Sequence, residues 1–127
     1  MIQRSILTFT ALQLAYSGLS WACTCSQQVS YADHERIFVG RAERSTVGCD
    51  GIQHTQFIVT EAIEGVDPLQ SITVHHSPET AACGVAIEAG QTWLIAIASD
   101  NHYDQCSLGG PEPTEEDLAE VYEDLDL

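Results

Sequence analysis

The sequence predicts a mainly β domain, a small antiparallel barrel or sandwich closed by one helix. Three observations carry that prediction. Short stretches in which apolar and polar residues alternate recur along the middle of the chain, separated by Gly, Pro, Asp and Asn. Residues 92–98, Thr-Trp-Leu-Ile-Ala-Ile-Ala, are apolar on both faces, as the most buried strand of a sheet should be. Beyond residue 113 the apolar period changes from that of a strand to that of a helix, so strands come first and the closing helix last.

Residues 1–22 read as a removable secretion signal. Arg4 lies in a short n-region, an apolar run covers residues 6–15, and Ser20 and Ala22 put small residues before a cut between Ala22 and Cys23. The run is too short to span a bilayer, which takes about 20 apolar residues. A lipoprotein signal is the competing reading; it would acylate Cys23 and tether the protein to a membrane. Cleavage before Cys23 leaves 127 − 22 = 105 residues, one domain spanning 23–127 with one core.

After Cys25, residues 26–28 are polar loop, and Ser30 is placed to cap a short helix within residues 29–36. Residues 37–44 form the first strand, with Phe38, Gly40 and Ala42 on one face and Arg41 and Glu43 on the other. Residues 45–51 are turn chemistry, and the Asp50-Gly51 pair favours a hairpin with Cys49 exposed at its tip. A long strand follows at 53–64, where Phe57, Val59 and Ile63 alternate against Gln56 and Thr60. Residues 65–68 turn the chain into a strand at 71–76, with Ile72 and Val74 inward. A loop through Pro78 leads to Ala81-Ala82-Cys83-Gly84 and a short apolar piece at 85–87. Past the buried strand, Asp100-Asn101 turns into a last short strand at 103–108 carrying Cys106, and residues 109–113 break the sheet pattern. Thr114 then caps a helix over about 114–125, Asp117 three residues on, with Leu118, Val121, Tyr122 and Leu125 on its apolar face. Glu115, Glu116, Glu120, Glu123 and Asp124 line its other face, and acids at the C-terminal end oppose the helix dipole, so the last turn should fray.

Charge narrows the function classes. The chain has a formal charge of −15 and no lysine, and losing Arg4 with the signal makes it −16. Such a surface repels phosphate backbones and anionic lipid, so no nucleic-acid or membrane partner is expected unless Cys23 is lipidated. No catalytic motif is visible: there is no nucleophile elbow, phosphate-binding glycine loop or paired-histidine zinc helix, and neither enzymatic activity nor a cofactor is expected. His34, His54, His75, His76 and His102 are scattered, and His75 and His76, adjacent on one strand, point to opposite faces. They read as ordinary surface histidines, since a closed zinc site needs three or four converging ligands.

Cysteine carries more. Cys23, Cys25, Cys49, Cys83 and Cys106 in an exported domain read as two disulfides and one leftover thiol, which allows 5 × 3 = 15 arrangements. Cys23 and Cys25, if extended, project to opposite sides, so each can be pinned to a different part of the core, with Cys83 and Cys106 as candidate partners. Cys49 is left as an unpaired passenger, a reactive thiol or the site of an intermolecular disulfide.

The Cys23-Thr24-Cys25 start, the strand Ile37-Phe38-Val39-Gly40-Arg41-Ala42, Ala82-Cys83-Gly84, Trp93-Leu94-Ile95-Ala96, and Cys106 followed by a helix together resemble the netrin-module superfamily. Within it the chain is most similar to the inhibitory domain of the tissue inhibitors of metalloproteinases, over essentially all of 23–125. The resemblance implies an OB-fold-like five-stranded antiparallel barrel with a short early helix and a C-terminal amphipathic helix, and disulfides Cys23–Cys83 and Cys25–Cys106. It also implies a secreted metalloendopeptidase inhibitor. The α-amine and carbonyl of Cys23 would chelate a target protease's catalytic zinc, Thr24 would enter the primed-side pocket, and Ala81 and Ala82 would flank the wedge. The alternative is a netrin-type module that binds a protein or glycan without inhibiting anything.

Overall fold

The structure, a computed structural model, describes residues 23, 25 and 29–127. The expected signal at 1–22, and Thr24 and residues 26–28, lie outside the described residues. The strands are β1 (Arg36–Val47), β2 (Gln53–Glu64), β3 (Ser71–His76), β4 (Thr92–Ile97) and β5 (Gly109–Pro111), followed by the helix α1 (Glu115–Asp124). Two 3-10 turns, Tyr31–Asp33 and Thr80–Ala82, complete the list. All five strands lie in one antiparallel sheet ordered β3-β2-β1-β4-β5, so β3 and β5 are edges and strand pairing does not close the sheet. One isolated bridge, His75 to His102, ties the β3 edge to the segment after β4.

In the long β1–β2 hairpin the two strands are out of step at three places, between Ile37 and Phe38, Val39 and Gly40, and Ala42 and Arg44. At the middle bulge Thr60 has no partner residue, and its hydroxyl donates to the Val39 carbonyl at 3.1 Å. These bulges let one strand serve two cores. Phe38, Phe57, Val59, Ile72, Val74, Trp93 and Tyr103 pack on one side of the sheet. Ile37, Val39, Leu94 and Ala96 pack on the other side beneath Tyr31 and Val121, with Ile63, Leu118 and Leu125 around them. β4 therefore runs buried on both faces, as its apolar sequence requires. Ile63 goes to the helix side rather than sharing a face with Phe57 and Val59, because the bulges shift the alternation between them.

α1 starts at Thr114 with a capping box: the Thr114 hydroxyl accepts from the Asp117 backbone N–H at 3.2 Å and the Asp117 carboxylate accepts from that of Thr114 at 2.7 Å. Those bonds hold the Asp117 carboxyl below its ordinary pKa. Asp124, expected to weaken the last turn, has its carboxylate 3.4 Å from both the Ser30 hydroxyl and the Tyr31 N–H, so it docks the helix on the early turn. The Tyr122 hydroxyl donates to Glu61 at 3.0 Å and fixes the helix to β2. No helix among the described residues is long and apolar enough to cross a membrane.

Ser30 caps the early turn as expected, and that turn is a single one of 3-10 geometry, because His34 and Glu35 already lead into β1. Two local expectations are corrected. Strand β1 runs on to Val47, so the hairpin turn starts only at residue 48 and ends at 52. Residues 103–108 are not a strand, since the Asp104 carboxylate accepts from the Cys106 N–H at 2.8 Å and the Ser107 N–H donates to the Asp104 carbonyl at 3.0 Å, closing a turn. The fifth strand is instead Gly109–Pro111. There a Cβ on Gly109 would sit 2.0 Å from the Leu94 carbonyl oxygen, so only glycine lets this backbone approach β4.

Candidate functional site

The residues around the expected mature N-terminus meet at one end of the sheet. Cys23 is bonded to Cys83 with Cα atoms 5.7 Å apart, and Cys25 to Cys106 with Cα atoms 5.4 Å apart. Those are the pairs the resemblance implies. Cys49 is free and exposed in the β1–β2 turn. The bridges span 60 and 81 residues of chain, and by loop-entropy arithmetic each is worth roughly 4 kcal/mol as an upper guide.

Cys83 ends the 3-10 turn Thr80–Ala82 in a left-handed conformation, φ 61°. Its loop is pinched shut at both ends: the Val85 N–H donates to the Ser77 carbonyl at 2.9 Å, and the Gly84 N–H to the Glu79 carbonyl at 3.0 Å. Gly84 is needed for this pinch, because a Cβ there would lie 2.0 Å from the Ser77 oxygen. Ala81 and Ala82 stand exposed on the rim of the loop beside Cys83.

Gln105 joins the two disulfide-bearing loops. Its backbone N–H donates to the Cys83 carbonyl at 3.0 Å, while its side-chain amide donates to the Thr80 carbonyl at 2.9 Å and the Gly84 carbonyl at 3.0 Å. Cys106 is the next residue. Both anchors of the Cys23–Cys25 segment therefore belong to one cross-linked platform, held from β3 on one side and from β4 on the other. Beside it, a cleft of about 320 Å³ runs past Val85, Trp93, Tyr103, Gln105 and Ser107. The Trp93 and Tyr103 rings meet edge to face at 6.0 Å. Burial pushes the Tyr103 phenol above its ordinary pKa.

Beneath the platform lies His76, fully buried. Its Nδ1 is 2.9 Å from the Val85 carbonyl oxygen, which can only accept, so Nδ1 carries the proton. Nε2, 2.7 Å from the Thr55 hydroxyl, then accepts, and Thr55 accepts in turn from Ser45 at 2.7 Å. Burial holds the ring's pKa below its ordinary value, with charge on His54 or His102 acting in the same direction against the hydrogen bond to the Val85 carbonyl. The neutral ring is thus a strut between β2 and the Cys83 loop.

Of the residues singled out in sequence, Cys23, Cys25, Ala81, Ala82, Cys83 and Cys106 come together here, and Thr24 lies outside the described residues. Gln105 was not singled out, Gly84 stood only within the Ala82-Cys83-Gly84 motif, and His76, expected as an ordinary surface histidine, is instead fully buried because it lies on the inward face of β3. His76 shares the inward phase of Ile72 and Val74, a signal the sequence does contain. Gln105 gave none, since its role depends on a turn between elements distant in sequence. Comparison with protein-family models gives no match, and comparison with curated proteins gives none either.

Proposed function

We propose that this protein is a secreted inhibitor of metalloendopeptidases, acting as a preformed wedge rather than as an enzyme. The observation that carries the reading is the double anchorage of Cys23 and Cys25 to two loops that Gln105 locks together. Two disulfides in so small a domain also suit an oxidising, extracytoplasmic compartment. With cleavage before Cys23, a free α-amine stands beside the Cys23 carbonyl, a nitrogen and an oxygen donor that an open catalytic zinc accepts. Thr24 is the side chain offered to the adjoining pocket, and the exposed Ala81 and Ala82 flank it. Fixing a residue's backbone costs about 1–2 kcal/mol, so a wedge already tied on either side of Thr24 gives up less on binding than a free terminus would.

The test uses the secreted protein, with its N-terminus established by intact mass, against a panel of zinc endopeptidases. The protein beginning at Cys23 should inhibit at least one. An otherwise identical protein carrying one alanine before Cys23 should not, and equal inhibition by both would sink the chelation mechanism. Because chelation needs a neutral amine, and α-amines titrate near about 7.7–8.0, inhibition should strengthen from pH 6 to about pH 8.

A further inference from the structure

Three histidines far apart in sequence are brought side by side on the outer face of the sheet. His54 on β2 and His75 on β3 are direct cross-strand partners, and His75 is bridged in turn to His102. Antiparallel partners place their side chains on the same face, so this face is the one opposite Thr55, Val74 and buried His76. His54 and His75 are half-buried and His102 is exposed, and neighbouring Ser71 and Thr73 are exposed too, so the row opens to solvent.

The first two rings face each other nitrogen to nitrogen. Their Nδ1 atoms are 2.7 Å apart, with ring centroids at 4.7 Å and planes at 78°. As two neutral imidazoles they share one proton, one ring donating from Nδ1 and the other accepting. One Nδ1–H and one Nδ1 lone pair thus face each other from a rigid two-strand base. Two nitrogens at about 2.0–2.1 Å from a tetrahedral ion stand about 3.3 Å apart, so the pair need open by only about 0.6 Å. Half-exposed rings can supply that by rotating. The shared proton moves to Nε2 of its own ring through solvent, and both Nδ1 lone pairs are then free.

We propose that His54 and His75 form a chelating site for a borderline divalent cation, zinc, copper(II) or nickel, with His102 as an auxiliary third donor and water completing the shell. Imidazole nitrogen selects these ions over calcium and magnesium, which take oxygen. As they stand, no three His, Cys, Asp or Glu side chains converge among the described residues, and the His102 Nε2 is turned to the Asp104 carboxylate at 3.2 Å. His102 therefore joins only by rotating off Asp104. The chain's charge of −15 favours cation capture from solution. The site is independent of the wedge at the N-terminus.

The test is titration of the disulfide-intact secreted protein with zinc chloride alone at pH 7.5, followed by calorimetry and by NMR of the histidine ring protons. One saturable equivalent is expected, with the His54 and His75 signals moving and that of His34 staying. His54→Ala and His75→Ala should each weaken binding tenfold or more, and His102→Ala severalfold. With copper(II), electron paramagnetic resonance should show at least two coupled nitrogens. His34→Ala, Cys49→Ser and the protein extended by one alanine before Cys23 should bind like wild type. Unchanged affinity in both His54→Ala and His75→Ala would overturn the assignment. So would loss of binding in Cys49→Ser or in the extended protein, which would move the ion to the thiol or to the terminal amine. If an alanine variant fails to fold, the ring-proton shifts of the wild type decide alone.

Discussion

Replacing His76 by alanine tests whether the platform is held from below. The ring is fully buried and makes two hydrogen bonds, to the Val85 carbonyl at 2.9 Å and to Thr55 at 2.7 Å. Each is worth about 1 kcal/mol net, and the Val85 carbonyl loses its side-chain partner. The vacated ring volume adds a cavity term, so His76→Ala should cost about 3 kcal/mol. His76→Phe fills most of the volume without the hydrogen bonds and should cost about 2 kcal/mol. Urea unfolding at pH 7.5 with disulfides intact measures both. The same residue sets a pH dependence whose sign follows from its lowered pKa. Between the ordinary value of 6.5 and the lower folded value, the unfolded chain binds the proton and the folded chain does not. Folding stability from His76 is therefore complete above about pH 6.5 and is lost as pH falls through that window, and His76→Phe should remove this component of the slope. A loss under about 1 kcal/mol for His76→Ala, or a pH slope unchanged in His76→Phe, would refute the strut.

Other positions carry sharper local consequences. Gly84→Ala forces a Cβ to 2.0 Å from the Ser77 oxygen and should destabilise by about 2 kcal/mol or more, a fall in Tm of about 8 °C or more by thermal melting. Thr114→Ala removes the capping box of α1 and should cost about 1 kcal/mol in urea unfolding, with helical signal lost by circular dichroism. Gln105→Ala breaks the two side-chain bonds between the disulfide loops; since the residue is exposed, stability should fall by only about 1 kcal/mol, while inhibition of a sensitive protease falls more, measured as the inhibition constant. Cys49→Ser should leave the unfolding midpoint unchanged and abolish any covalent dimer on non-reducing gels, as Cys49 is free and exposed.

The strands with regular alternation were legible in the sequence, and the reason is local. Residues 53–64 and 71–76 have their expected bounds because period-two patterning and flanking turn residues act within the segment itself. Thr114 and Asp117 announced the helix start for the same reason. The misplaced fifth strand shows where local reading fails. Tyr103, Cys106 and Leu108 look like strand, yet Asp104 offers its neighbours a turn, and Gly109-Gly110 looks like a breaker although its missing side chains are what let it pair with β4. The face-switching of Ile63 was equally hidden, since bulges arise from pairing between strands and leave no mark in either strand alone. The candidate site followed the same division. The cysteines are visible in sequence, whereas Gln105 and the His54–His75 pair are contacts across 21 or more residues of chain.

The C-terminal end of β3 shows how alternation lets a small domain separate two tasks over two residues. His76 points inward and holds Val85, which closes the loop that presents Ala81, Ala82 and Cys83. His75 points outward to His54, while its backbone pairs with Asn101 and Tyr103 on the segment that runs on to Gln105 and Cys106. The same short stretch thus braces both disulfide loops through its backbone and inward ring, leaving only the outward ring free for a ligand. A substitution at His75 that keeps the strand should then alter cation binding without loosening the platform. One at His76 should do the reverse. Measured together, His75→Ala and His76→Phe should give opposite patterns in zinc titration and in urea unfolding. A shared loss of both properties in either variant would mean that the two faces are not independent, and that the histidine pair belongs to the scaffold itself.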